Sequence, residues 1–330
     1  RILRKAGIPN FDFPDRACRL FNYMWSYSKN IQAIYETPNV INHQTQVNIA
    51  RNIIEKAYSE GRDLLTELES KQLLSAYGIP TVPTIYAGTA EDAGNEAEKL
   101  GYPIVLKLHS YTITHKTDVG GVILNLRNKK EVIDGFNKIK ESLKSLKLEN
   151  GFQGVTVQPM LKLSDGYELL IGSSIDNQLG PICVFGSGGT LVEVNKDSAL
   201  ALPPLNTTLA KMVMSKTKIY KALKGIRGRK PCDIKLLEQI FVNFSELTVD
   251  IPLIKEMDIN PLLASADGII ALDARVVLYK HDISIDNIIK PAIRSYPIDY
   301  STKLLNNIEV RPIKASDVNL MTDFEKLLSD

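Results

Sequence analysis

Glu256-Met257-Asp258-Ile259-Asn260-Pro261-Leu262, followed by Leu272-Asp273-Ala274-Arg275, is the stretch on which the reading of this sequence turns. Strand alternation places Glu256, Asp258 and Asn260 on one face. The flanking apolar runs, Pro252–Ile259 and Ile269–Tyr279, are separated by an Asp267-Gly268 turn, which predicts a hairpin and brings Asn260 near Asp273. Oxygen ligands of this kind suit Mg²⁺ held jointly with substrate phosphates. The alternative, a solvated hairpin face, leaves three oxygen-bearing residues beside Ile259 and Leu262 unexplained.

Outward from that hairpin, Gly186-Ser187-Gly188-Gly189-Thr190 follows the short strand Pro181–Phe185. Successive glycine N–H groups form either a phosphate nest or a tight turn. The run is neither GxGxxG nor a Walker A loop. Lys107 lies inside the apolar strand Pro103–His109, where its ammonium needs a counter-charge or an outlet to solvent. His115-Lys116-Thr117-Asp118-Val119-Gly120-Gly121 comes next. The paired glycines allow close backbone approach, and His115 is either a phosphate acceptor or a polar loop histidine. Strands are also expected at Val82–Ala87, Val122–Leu126, Val155–Met160 and Tyr167–Ser174. Helices are expected over Gln46–Ala57, Thr89–Gly101, Lys129–Leu148, Thr208–Ser215, Lys216–Leu223 and Asp233–Thr248. Thr66-x-x-Glu69 is a capping box, with Gly78 closing its helix. The alternation of strand and helix predicts two α/β units, the second beginning at Gly154.

With 40 Lys+Arg against 38 Asp+Glu, the 330-residue chain carries a net charge of +2, unlike a strongly basic nucleic-acid binder. Lys216–Lys230 holds seven basic residues and no acid, but no interleaved stacking platform; it reads as a solvated helix face or an attraction for nucleotide or CoA phosphate. No apolar run approaches the roughly 18–20 residues of a membrane span. Cys18, Cys183 and Cys232 form no disulfide framework, which fits a reducing cytoplasm. Near the N-terminus, a helix from Pro14 through Asn30 is expected to bury some of Cys18, Phe21, Tyr23, Met24 and Trp25, with Trp25 in a core. Thr37-Pro38-Asn39 marks a break. Arg1 opens no signal peptide, and the chain reads as a piece of a longer one.

In order and spacing these pieces resemble the ATP-grasp region of ADP-forming acyl-CoA synthetases, relatives of succinyl-CoA synthetase. The resemblance runs through Lys107, His115–Gly121, Val157-Gln158-Pro159-Met160, Glu168, Gly172 and Gly180-Pro181. It continues with Phe185–Gly189, Glu193, Asp197, Pro203-Pro204-Leu205, Gly225–Gly228, Asp258–Pro261 and Leu272–Arg275. It covers about residues 46–280. Ala6–Pro9, Pro14 and Ala17 resemble the end of a flavodoxin-like CoA-ligase domain. Val310-Arg311-Pro312-Ile313 resembles the opening of a GNAT acetyltransferase domain. Pro203–Asn206, Leu262–Ser265 and Arg294–Pro297 are similar to bacterial protein lysine acetyltransferases with a synthetase-like front half.

The resemblance implies an ATP-grasp fold over 43–280, with subdomains at about 60–150 and 151–280. A CoA-ligase tail (1–42), a linker (281–307) and the start of a GNAT domain (308–330) flank it. It further implies ATP or ADP with Mg²⁺, Lys107 neutralising nucleotide phosphates, and the backbone at Gln158, Pro159 and Met160 receiving adenine. Glu168, Gly120, Gly121, Gly188, Gly189 and Arg275 would border the nucleotide, and Asn260 and Asp273 would hold the metal. His115 would relay phosphate, supported by the Asp258 carboxylate. CoA or acyl-CoA and acyl phosphate would be handled through domains outside this chain, so the chain alone is not expected to complete the overall reaction. A protein substrate would belong to the attached GNAT domain; neither nucleic acid nor membrane is an expected partner. The competing expectation is a nucleotide- or acyl-CoA-sensing region that regulates an acetyltransferase.

Overall fold

The computed structural model describes residues 5–7, 9–34, 44–113, 116–161, 166–189, 197–226, 230–293, 301–304, 308–313 and 317–328. The chain divides into two compact units, residues 42–295 and the terminal segments 1–41 with 296–330.

The larger unit opens with α1 (Gln44–Ser59) and α2 (Glu67–Ala76). Its first sheet is antiparallel, in the order β1 (Ile85–Ala87), β4 (Gly154–Pro159), β2 (Ile104–His109), β3 (Val122–Leu126). The helices α3 (Ala90–Leu100) and α4 (Lys129–Ser145) connect these strands. Period-two alternation divides β2 between two environments. Ile104, Leu106 and Leu108 join Ala93, Ala97, Val132, Phe136 and Ile139 in a core against the helices. The alternate positions, Lys107 and His109, face the other way. In β4, Val155 and Val157 enter that core, while Thr156 and Gln158 share the face of Lys107, which pairs with Thr156 in the ladder. From the sequence this strand is expected in the second α/β unit. The structure instead makes it a central strand of the first sheet, because both its edges pair there, with β1 and with β2.

The second sheet runs β10 (Arg275–Leu278), β8 (Ile254–Ser265), β5 (Tyr167–Asp176), β6 (Gly180–Ser187), β7 (Ser198–Ala201), with β9 (Gly268–Ala271) also on β8. Three helices accompany it: α5 (Thr207–Met214), α6 (Ile219–Leu223) and α7 (Ile234–Asp250). The largest is α7, whose Phe241 ring lies 5.8 Å from that of Phe185. The core of this sheet also takes in Ala50, Ile54, Leu73 and Leu74, so α1 and α2 pack with the second sheet although they precede the first in sequence. This crossing of the chain is what positions the site: α2 is anchored on one sheet and turns its charged side to the other.

Three further expectations change. The strand expected over Ile269–Tyr279 is broken at 272–274, where the Leu272 N–H donates to Pro261 O at 3.1 Å. The early part of the expected linker is docked: Ala292 N–H donates to Leu179 O at 3.1 Å, Ile288 is buried, and the His281 ring meets Tyr58 edge-on at 5.0 Å. In the terminal unit a helix spans Pro14–Ile34, but Phe21, Tyr23, Met24 and Trp25 are exposed, Trp25 at 52%, and Cys18 is exposed too. Trp25 is therefore not a core residue: the described residues of that unit supply only a two-stranded pairing (Thr302–Lys303 with Glu309–Val310) and the helix Val318–Leu327, too little to cover a 21-residue helix. Thr37–Asn39 and Arg294–Pro297 lie outside the described residues.

Candidate active site

The hairpin geometry expected from the sequence forms the carboxylate side of the site. Asp258 pairs with Arg275 across β8 and β10, while β9 pairs Ala271 with Leu262. Asn260 and Asp273 therefore face each other across the short break between those two pairings. Asp258, Asn260, Asp273 and Arg275 line one cleft of about 370 Å³, together with Thr66, Glu67, Ser110, Lys116 and Thr117. Arg275 Nη1 approaches Glu256 Oε1 at 3.2 Å and Asp258 Oδ1 at 3.7 Å. Burial pushes the Asp258 carboxyl up to about 6; Arg275 opposes this, while Glu256 and Asp273 add to it.

The opposite side is cationic and rests on α2. Its start is fixed by the capping box: Thr66 Oγ1 accepts from Glu69 N–H at 3.2 Å and the Glu69 carboxylate accepts from Thr66 N–H at 2.8 Å. The first helical residue, Glu67, is buried. Its Oε1 accepts from Lys71 Nζ (2.8 Å), Lys107 Nζ (2.8 Å) and Gln158 Nε2 (2.6 Å), and its Oε2 from Lys116 Nζ (2.6 Å). Burial alone would raise the Glu67 carboxyl; the Lys107, Lys71 and Lys116 ammonium groups overcome it and hold the carboxyl well below the ordinary range. Burial would also discharge Lys107, but Glu67 and Asp273 keep it charged above its ordinary value. Lys71 has no such second carboxylate in contact, and burial, with the Lys107 charge, brings it down to about 8. Lys107 also donates to Leu272 O at 3.1 Å and stands 3.4 Å from Asp273 Oδ2. Three ammonium groups against Glu67 and Asp273 leave this side with an excess of positive charge, beside a row of oxygen donors.

The structure thus brings together Lys107, Asp258, Asn260, Asp273 and Arg275. Gln158 joins them through Glu67. Pro159 ends β4 and Met160 follows it, both outside the cleft lining, and Met160 N–H donates to Pro103 O at 2.8 Å. The glycines act within the chain. Gly120 N–H donates to Thr117 O (3.1 Å) and Gly121 N–H to Lys116 O (2.7 Å). A Cβ on Gly121 would stand 2.8 Å from Lys116 O and 2.9 Å from Leu108 Cβ. Gly188 N–H donates to Glu168 O (2.8 Å), and Gly189 N–H to Asn260 Oδ1 (2.9 Å). Gly189 has φ +79°, and any Cβ there would collide with the exposed Glu168 carboxylate. His115 and Glu193 lie outside the described residues.

Sequence reasoning missed Glu67 and Lys71, and named Lys116 only within the run His115–Gly121, without a role of its own. The capping box drew attention to Thr66 and Glu69, and an acid in a first turn needs no explanation beyond the helix dipole. One signal was present. Glu67, Lys71 and the fully buried Leu74 lie along one helix face, so a charge pair in line with a core leucine had to find partners inside.

The ATP-grasp domain family matches residues 56–278. The chain is 36% identical over 278 residues to acetate–CoA ligase [ADP-forming] I of Archaeoglobus fulgidus, covering 84% of this chain and 40% of that one. It is 40% identical over 229 residues to acetate–CoA ligase [ADP-forming] I subunit beta of Pyrococcus furiosus, covering 69% of this chain and 97% of that one. A solved structure of dinucleotide forming acetyl-coenzyme A synthetase 1 of Ca. Korarchaeum cryptofilum superposes with a TM-score of 0.61 at 36% identity, over 70% of this chain and 100% of that one. That structure holds coenzyme A and Mg-AMPPCP, with a phosphohistidine segment pointing towards the nucleotide binding site. The chain spans about two-fifths of the Archaeoglobus protein's length and nearly all of the Pyrococcus beta subunit. It belongs to the ATP-grasp domain family, as the beta-subunit-like region of ADP-forming acetate–CoA ligases.

Proposed function

We propose that the cleft binds ATP or ADP with Mg²⁺ and passes a phosphoryl group between the nucleotide and a histidine, as the nucleotide half of an ADP-forming acyl-CoA synthetase. The observation that carries this is one cleft lined by the Lys116 ammonium and the oxygen donors Asn260 and Asp273, with the Lys107 ammonium 3.4 Å from Asp273. Phosphoryl transfer asks a protein chiefly for positioning and charge neutralisation, and this arrangement offers both. The donor set fits Mg²⁺. Among the described residues no group of three or more His, Cys, Asp or Glu is arranged to hold a metal, so the cation would complete its shell with phosphate oxygens, as Mg²⁺ commonly does. When bound, Mg²⁺ supplies neutralisation of phosphate charge.

Within this reading Lys107 and Lys116 take the phosphates, and Asn260 and Asp273 hold the metal. Asp258, half-buried with a carboxyl that titrates near 6, supports the imidazole of His115, the relay residue. Arg275, Glu168, Gly120, Gly121, Gly188 and Gly189 shape the surroundings, and the backbone of Gln158, Pro159 and Met160 offers the adenine edge. CoA, acyl-CoA and acyl phosphate are handled by the other regions of the complete synthetase, so these 330 residues bind nucleotide without forming acyl-CoA by themselves. Free cysteines at 18, 183 and 232, and no helix among the described residues long and apolar enough to cross a membrane, accord with a cytoplasmic enzyme.

A second reading, a nucleotide- or acyl-CoA-sensing region of a GNAT protein lysine acetyltransferase, is favoured by the sequence at Val310–Ile313, Pro203–Asn206 and Arg294–Pro297. In that case 1–42 and 308–330 are the edges of a CoA-ligase and an acetyltransferase domain.

Calorimetric titration with ADP separates the outcomes. Metal-dependent binding that falls at least about tenfold in Asn260→Ala/Asp273→Ala supports the proposal. Absence of binding, or binding indifferent to Mg²⁺ and to both substitutions, overturns it. Acid-labile label from γ-labelled ATP, lost in His115→Ala, distinguishes phosphoryl transfer from sensing.

A further inference from the structure

Glu67 contributes no group to the cleft that a polyphosphate would seek, yet three cations converge on it. Lys107 arrives from β2, Lys116 from the segment after His115, and Lys71 from one turn along the same helix. Lys71 is almost completely buried and lines a separate groove, with Ile53, Leu68 and Thr84, away from the cleft. It also donates to Thr84 Oγ1 (3.0 Å) and to Gln158 Oε1 (3.2 Å), while Gln158 donates back to Glu67. The carboxylate is thus pinned on one side by an amide and an ammonium, and on the other it holds Lys116, which lines the cleft, and the buried Lys107, which stands 3.4 Å from the lining residue Asp273. An ammonium has three donors. Lys107 directs one to Glu67 and one to Leu272 O, and the third approaches Asp273 Oδ2 at 3.4 Å, at the wall of the cleft. Among the described residues Lys116 makes one ion pair, to Glu67.

We propose that Glu67 is a positioning residue: anchored by Lys71 and Gln158, it fixes Lys107 and Lys116 side by side so that both meet the same phosphate. The inference rests on the nucleotide reading above. Long lysine side chains lose rotamer freedom on binding, and holding them beforehand removes that cost from the binding step.

The test is a double-mutant cycle on the 330-residue chain, read as Mg-ADP affinity by calorimetry. Glu67→Gln keeps the shape and removes the charge. It is expected to weaken Mg-ADP about tenfold in the wild-type background and less than about twofold in Lys107→Ala, because much of what it positions is gone. A purely structural role gives independent, additive losses and overturns the inference. Wild-type affinity in Glu67→Gln overturns it too. Wild-type affinity in Lys107→Ala overturns the nucleotide reading itself, and the inference with it. Should Glu67→Gln lose the near-ultraviolet circular dichroism of the folded chain, Lys71→Met decides on the same terms. Its side chain lies outside the cleft lining, and the expected loss is about threefold with Lys107 present and smaller without it, where only Lys116 is left to position. An equal loss in both backgrounds contradicts the inference.

Discussion

Asp258 and Glu67 are carboxylates of one cleft, displaced in opposite directions. Asp258 has Glu256 and Asp273 nearby and Arg275 at 3.7 Å, so burial wins and the carboxyl titrates near 6. Glu67 has three ammonium groups, and they win. The linkage follows from the signs. Between about pH 4 and 6 the folded chain keeps a proton on Asp258 that the unfolded chain has released, so this stabilisation is lost as pH rises through 6. Asp258→Asn should therefore flatten the pH dependence of the urea midpoint between pH 4.5 and 7 and raise stability at pH 7 by about 1 kcal/mol, a figure reduced for partial exposure. Glu67 and Glu69, both depressed, act the other way. Their contribution is present above the ordinary carboxylate range and lost as pH falls below it, so urea midpoints should drop steeply under about pH 4. At this scale Lys107, Asp258, Asn260, Asp273 and Arg275 were legible, because charged or oxygen-rich residues inside apolar strands demand partners. Glu67 and Lys71 were not, because their partners come from β2 and β4, which no local pattern links to α2.

Among elements, α2 matters most. Its capping box ties the helix start to the cleft, so Thr66→Ala should cost about 1 kcal/mol in denaturant unfolding and also weaken Mg-ADP binding, since Glu67 is the next residue. A substitution that lowered stability but left affinity unchanged would separate the helix start from the site. Gly121→Ala should cost roughly 1–3 kcal/mol by the same measurement, because the two atoms it meets are a backbone oxygen and a Cβ on β2, neither free to move. Helix starts in this region were readable: those expected at Thr89, Lys129 and Thr208 fall within one residue of the observed ones, which Thr89, Asn128 and Asn206 cap by accepting from a first-turn N–H. Strand partnership was less readable. β4 carries the same alternation whichever sheet it joins, and β7, four residues long, has too little pattern to register. The break at 272–274 follows from pairing rather than propensity, since β8 supports β9 on one stretch and β10 on another.

At the scale of the whole molecule, every cleft residue belongs to the unit 42–295. A chain trimmed to those residues should unfold cooperatively and bind Mg-ADP within about twofold of the full 330 residues. A larger loss would mean that the terminal segments take part in the site. The ATP-grasp fold was legible because motifs that are weak singly occur in a fixed order over more than two hundred residues. The exposure of Trp25 and its neighbours was not, because amphipathic spacing shows that a helix has an apolar side without showing what covers it.

The most direct test of nucleotide binding at this cleft is a crystal structure of the chain grown with Mg²⁺ and a non-hydrolysable ATP analogue. Phosphates are expected in the cleft, within hydrogen-bond distance of Lys107 and Lys116, with the metal on Asp273 and Asn260 and Glu67 still holding both lysines. Phosphates bound elsewhere, or a metal that touches neither Asn260 nor Asp273, would contradict it.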